Sequence, residues 1–330
     1  MKHENNHTHK KADPSSSNVP HNHHYVPQHF LKAWSVDSSG NKIHRYKWIS
    51  ATNKVEFKTG RSIELSASAH DLYTLSDSTV TREFETSIMT ARLDTPGSEI
   101  LQKIRVDSIG QLSAAERSAF AHYLVALEGR NPMVMEQMHL SAVVIDGIAA
   151  KLEQEHKAER GSFGPIAGIL KKLKSTGALA AAAYVGGGSK EHARAILDRQ
   201  WVELRTEPSR PFFTSNYPVG RCAWFDRDDF FACLAVSPTR AVFFVPKTQV
   251  WCATLTRPAG MRLAAQMLKM LTLRNASEAY TSDSARSVFI TEELSWRRRK
   301  LSQEKNEKDY LVGAAVRYSK TDDGTYSTHW

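Results

Sequence analysis

Apolar side chains recur at helical spacing through the middle of this chain and at strand spacing on either side of it. Phe30, Leu31 and Trp34 make the first apolar face, and Asp37-Ser38-Ser39-Gly40-Asn41 follows as a turn cluster. Residues 43–49 read as an aromatic-bearing strand, paired with residues 54–58 across Ala51-Thr52-Asn53. Asp71-Leu72-Tyr73-Thr74-Leu75 predicts one more short strand.

Helices then take over. Phe84, Ile88 and Ala91 share a face that should end before Pro96, because the residue ahead of a proline is pushed out of the helical region. Thr95 can cap a second helix, with Pro96 at its first position and Ile100, Leu101 and Ile104 on its apolar face. Ser113-Ala114-Ala115-Glu116 has the form of a capping box, opening a helix that carries Phe120, Tyr123, Leu124 and Leu127. Gly129-Arg130-Asn131-Pro132 ends that helix and starts the next, which bears a seam of Met135, Met138, Ala142, Ile145, Ala149 and Leu152.

Residues 161–189 are rich in Gly and Ala and read as a connector, closing on Gly186-Gly187-Gly188. Beyond it, residues 201–206, 212–214, 234–236, 241–245 and 250–256 are short apolar runs punctuated by prolines, the spacing of an antiparallel meander. A helix after Pro258 should bury Leu263, Met267, Met270 and Leu271. The pattern as a whole predicts an α+β fold. A central helical, bundle-like segment (about 80–175) is flanked by N-terminal short strands and a C-terminal antiparallel meander (about 200–256), with a helix at about 259–274. Residues 21–295 form a single compact domain in this reading. Residues 1–20 form a His/Ser-rich disordered tail, and residues 296–330 a charged, loosely held segment.

Composition changes the picture in two places. The chain has 330 residues, 44 Lys+Arg against 35 Asp+Glu, and a formal net charge of +9, which attracts polyanions, nucleic acid among them, and also serves solubility. Its three cysteines, Cys222, Cys233 and Cys252, show no CxxC pair, so neither a disulfide framework nor a zinc knuckle is suggested. No apolar leader opens the chain and its most apolar run, 177–185, is too short to span a bilayer, so a cytoplasmic protein is expected. His3, His7 and His9 in the tail lack the spacing of a structured metal site.

These residues and motifs resemble the DUF4238 family. The likeness rests on His23-His24-Tyr25-Val26-Pro27-Gln28 followed by Phe30 and Leu31, and on Asp71-Leu72-Tyr73 and Glu85. It continues through Leu112 to Arg117, Arg130-Asn131-Pro132, Trp201, the Phe212-to-Val219 motif and the strand Leu234 to Pro238. The family carries no established activity, so the resemblance implies a relative and no reaction. In its Thr-Ser-Asp-x-Pro motif this chain has Asn216 in the aspartate's place. An Asx-turn survives that exchange. A catalytic or metal-binding carboxylate does not.

The candidate catalytic residues are His23, His24, Glu85 and Arg130. A histidine can move a proton near pH 7, Glu85 can serve as general base, and a guanidinium can grip a phosphate bidentately. Arg130 can equally cap the carbonyls of the helix before it. Tyr25, Gln28, Thr214, Ser215 and Asn216 are candidate binding residues. Arg297, Arg298, Arg299 and Lys300 beside Trp296 form a basic patch suited to a phosphate backbone, or a solvated helix face. No nucleophile elbow, P-loop, Rossmann fingerprint or zinc motif is present, and the residues name no cofactor or metal. Two functions remain open: an enzyme acting on a phosphate-containing or nucleic-acid substrate, as a toxin- or defence-type nuclease would, or a non-catalytic ligand-binding or sensing module.

Overall fold

The computed structural model of the protein describes residues 22–70, 72, 84–132, 190–222, 227–248, 255, 257–285, 287–306, 317–320 and 326–329. The expected tail, the seam of residues 135–152, the 161–189 connector, and most of the expected strands at 71–75 and 250–256 lie outside them.

The fold is α+β, built on two four-stranded antiparallel sheets. Strands β2 (Lys42–Ile49) and β3 (Lys54–Ser62) form the expected hairpin, with Asn53 at φ 51° supplying the left-handed turn residue. Their sheet runs β3-β2-β10-β6, with β10 at Glu278–Thr281 and β6 at Thr214–Ser215. The second sheet runs β5-β9-β8-β7: Gln200–Arg205, Arg240–Val245, Phe231–Ser237 and Val219–Cys222. A short pair, β1 (Asn22–His24) with β4 (Ser68–His70), holds the N-terminal motif, and β11 (Arg317–Lys320) pairs with β12 (Tyr326–His329).

Six α-helices are described: α1 (Gln28–Leu31), α2 (Thr95–Val106), α3 (Ala114–Gly129), α4 (Lys190–Leu197), α5 (Pro258–Leu273) and α6 (Val288–Asn306). The capping box of α3 forms as its sequence predicts. Ser113 Oγ accepts from the Glu116 N–H, and Glu116 Oε2 accepts from the Ser113 N–H at 2.7 Å.

Three expectations are corrected. The helix does not stop before Pro96: a π-helical stretch, Phe84–Asp94, runs straight into α2, with Asp94 in the helical region and no side-chain cap. The wider π turn gives the pyrrolidine ring room that a regular α ladder would deny it. Residues 214–215 do not join the meander but pair with β10 in the other sheet. Of the face expected on α5, Met267 and Leu271 pack against the main core, but Leu263 and Met270 stay exposed and Gly260, Ala264 and Leu268 are buried in their stead. A Cβ on Gly220 of β7 would lie 2.7 Å from Leu271 Cβ, so this glycine lets α5 lie close against the sheet at Leu271.

The main core joins the second sheet to α1, α2 and α3, around Trp34, Phe120, Phe243 and Phe244. Trp34 donates its indole N–H to the Phe212 carbonyl, fixing the N-terminal segment to the entry of β6. A smaller core, with Tyr46, Ala279, Leu273, Ile290 and Leu294, packs on the other side of the first sheet. Strands β10 and β6 of that sheet are therefore buried on both faces, while β3 keeps an exposed edge.

Candidate functional site

Register places the candidate residues before any chemistry is considered. In the first sheet Thr214 pairs with Tyr280 and Tyr280 with Arg45. Facing residues of paired strands project to one side. The row Thr214–Tyr280–Arg45 therefore shares a face, and the next row along that face holds Glu278 and Lys47. The alternate row, Ser215–Ala279–Tyr46, turns toward the smaller core.

This polar face is buried: Thr214 is 1% exposed, Tyr280 0%, Glu278 7% and Arg45 8%. Glu278 organises it. Its Oε1 lies 3.0 Å from Lys47 Nζ and 4.0 Å from Arg45 Nη1, and its Oε2 accepts from the Tyr280 hydroxyl at 2.6 Å. Arg45 Nε and Thr214 Oγ1, both buried, make no hydrogen bond among the described residues. Burial pushes the Tyr280 hydroxyl far above its usual pKa, with the Glu278 charge adding to it, and Tyr25 is raised for the same two reasons. Both phenols stay protonated at neutral pH.

The three sequence motifs meet at Asn216. Its Oδ1 accepts from the N–H groups of Ser277 and Glu278 at 2.9 and 3.0 Å, and its Nδ2 donates to Ser277 Oγ. The Tyr25 side chain, from the first motif, hydrogen-bonds the Asn216 side chain. Asn131, from the Arg-Asn-Pro motif, donates Nδ2–H to the Asn216 carbonyl at 2.9 Å. Ser215 Oγ donates to the Thr272 carbonyl and accepts from the Tyr217 N–H. The Thr-Ser-Asn segment thus clips β6 to β10 and to α5.

A second cluster lies where α1 meets α2 and α3. Arg130, 1% exposed, donates Nη2–H to Asp94 Oδ1 at 2.6 Å. His29 Nε2 is 3.1 Å from the Tyr123 hydroxyl, and Gly97 makes this possible, since any Cβ there would strike the Tyr123 ring. Burial drives the His29 pKa down to about 4, with Asp94 opposing and Arg130, Arg105 and Lys32 assisting. The half-buried imidazole is neutral at pH 7.

Of the remaining candidates, His23 is buried in β1 opposite Ala69. His24 Nε2 lies 2.9 Å from the Glu64 carbonyl and 3.3 Å from Gln28 Nε2, and burial lowers its pKa. Glu85 lies on the π-helical stretch, and its side chain is outside the described part. Arg297 pairs with Glu293 and stacks over Trp296. Arg298 donates to the Ala276 and Asn275 carbonyls that follow α5. The side chains of Arg299 and Lys300 are outside the described part. His24, Arg130 and Ser215 each bond a different neighbour, while Tyr25, Asn131 and Asn216 converge.

Sequence reasoning missed Arg45, Glu278, Tyr280, His29, Tyr123 and Asp94. One signal was available: Arg45 shares a strand face with Ile43 and Ile49 inside an otherwise aromatic strand. Among the described residues no group of His, Cys, Asp and Glu can hold a metal ion. A shallow depression of about 500 Å³, lined by Lys103, Asp107, Ser108 and Gln111, involves none of these residues. None of the described helices is long and apolar enough to cross a membrane.

A mixed α+β fold with a charged sheet face turned inward and clipped by three separated motifs is the class this geometry defines. The chain belongs to the family described as "Protein of unknown function (DUF4238)", which it matches over residues 22–247. No curated protein and no solved structure matches it.

Proposed function

We propose that the chain is an enzyme acting on a phosphate-containing substrate, a nucleotide or nucleic-acid end, bound on the Arg45–Tyr280–Thr214 face of the first sheet. One observation carries the reading. Two buried polar atoms of that row, Arg45 Nε and Thr214 Oγ1, make no hydrogen bond among the described residues. A buried polar group left unmade costs about 1–3 kcal/mol, and a ligand that completes both atoms of one row would offset it. A guanidinium and a hydroxyl on either side of a phenol suit a phosphate oxygen set, and the net charge of +9 favours anionic substrates. Glu278 is the carboxylate positioned to accept a proton there, and Tyr25 and Tyr280 are neutral donors. The neutral His29 beside Tyr123 supplies a hydrogen-bonding imidazole in the second cluster.

A second reading, a binding or sensing module without turnover, is favoured by Asn216. Its oxygen and nitrogen are spent on the backbone and hydroxyl of residues 277 and 278, so this position supplies strand pairing in place of a carboxylate. Titration calorimetry with inorganic phosphate, pyrophosphate and nucleoside monophosphates, run beside hydrolysis assays on phosphomonoesters and phosphodiesters, separates the two. Binding that falls at least about tenfold in Arg45→Lys, with turnover lost in Glu278→Gln, supports the enzyme. Binding without turnover supports the module, and no binding by the wild type sinks both.

A further inference from the structure

Helix α5 carries no acidic residue between Pro258 and Leu273. Its outward side is nevertheless ordered. Leu263 (53% exposed) and Met270 (41%) lie seven residues apart and therefore on one line along the helix, with Gln266 beside them. Arg262 and Lys269 run parallel to that line on one flank, and Arg274 stands at its C-terminal end. Arg210, from the loop entering β6, adds a cation next to Lys269. Partial burial and that neighbour hold the Lys269 ammonium below its usual pKa. Among the described residues none of these four cations forms an ion pair. The rest of the helix packs on β6, β7, β8 and α6, apart from Met261 near its start, which is exposed.

We infer that the outer face of α5 is a docking surface for an acidic, amphipathic protein segment whose apolar stripe covers Leu263 and Met270 while its carboxylates meet Arg262, Lys269 and Arg274. Charge complementarity selects this occupant. A second copy of the chain would set cations against cations in a two-fold contact. A nucleic acid would use the cations and leave the apolar line in water, where its exposure is unfavourable. A helix laying an apolar stripe between acidic flanks satisfies both components. The inference is independent of the ligand reading, because α5 meets β6 through Ser215 and the Thr272 carbonyl, on the side away from Thr214.

The test uses the full chain and a fluorescein-labelled synthetic helical peptide with Leu at i, i+3, i+4 and i+7 flanked by Glu. A scrambled peptide and a single-stranded DNA oligonucleotide serve as comparison probes, all read by anisotropy. The expected result is saturable binding of the amphipathic peptide alone. Arg262→Glu with Lys269→Glu should weaken it at least about tenfold, and so should Leu263→Ser with Met270→Ser. Gln266→Leu, which widens the apolar line, should tighten it. Circular dichroism and melting curves check that these surface variants stay folded. Absence of peptide binding overturns the inference. It is equally overturned if the charge-reversed pair loses binding while the serine pair keeps it, or if the DNA binds as tightly as the peptide.

Discussion

From Phe231 to Val236, and again from Ala241 to Val245, every residue of β8 and β9 is apolar and buried. Strands β2 and β10 are buried too, yet they carry Arg45, Glu278 and Tyr280 inward. The second sheet, built on β8 and β9, holds together by packing alone. The first sheet must satisfy charge in the interior, where removing one partner of a pair leaves the other uncompensated. The comparison teaches that depth and apolarity are separate properties, and that the place where they part is where chemistry is expected.

The largest effect should come from breaking the charged face. Glu278→Ala should cost about 3–5 kcal/mol in urea denaturation, because Arg45 and Lys47 lose their counter-charge. Replacing Arg45 and Glu278 together with Met and Leu should recover most of that loss. A Glu278→Ala protein as stable as the wild type would dissolve the distinction between the sheets. On the apolar sheet, Gly220→Ala should cost about 1–3 kcal/mol, since its Cβ would meet Leu271 Cβ at 2.7 Å and Cys233 Sγ at 3.0 Å. An unchanged melting temperature would mean that α5 yields freely.

Next comes pH. His29 is neutral in the fold down to about pH 4, whereas in the unfolded chain it takes up a proton near pH 6.5. Its contribution is therefore complete above pH 6.5 and is lost as pH falls from there toward 4. His24 and His44, also lowered by burial, share the window. His29→Gln should flatten the fall in urea midpoint between pH 6.5 and 4 without abolishing it, and an unaltered slope would remove His29 from the account. The smallest effect belongs to Asn216→Asp. A carboxylate oxygen can accept from the same two N–H groups while the Ser277 hydroxyl turns to donate, so stability should change by less than about 1 kcal/mol. A much larger loss would show that the amide, and not merely its oxygen, is required.

How far the sequence foretold this molecule follows the same division. The α3 cap, the β2–β3 hairpin, the β8–β9 pair and the start of α5 at Pro258 were legible, because each rests on local spacing or capping chemistry. The N-terminal motif and the Arg-Asn-Pro and Thr-Ser-Asn motifs were legible as motifs, though not as one meeting point. Glu278 was illegible. Its strand has four residues and gains its place from β2 and β6, neither of them near it in the chain. Hydropathy likewise sends Arg45 to the surface, and only register against Tyr280 turns it inward. The α5 face was half legible: Met267 and Leu271 do pack on the core, while the outward turn of Leu263 and Met270 depends on strands far away in the chain.

The position of β10 has a consequence for synthesis. It lies between β2 and β6, and Tyr46 reaches across 239 residues of chain to the Ala285 carbonyl. The family match ends at residue 247, before this strand begins. As the polypeptide leaves the ribosome, the β2–β3 hairpin can close at once, but its other edge must wait for nearly the whole chain. Until residue 281 has emerged, an aromatic strand holding Tyr46 and Trp48 has an open hydrogen-bonding edge, the state in which nascent chains pair with the wrong neighbour. A translational pause or a truncation between residues 247 and 278 would prolong that exposure. A chaperone dependence that ends once β10 is made is the expected signature.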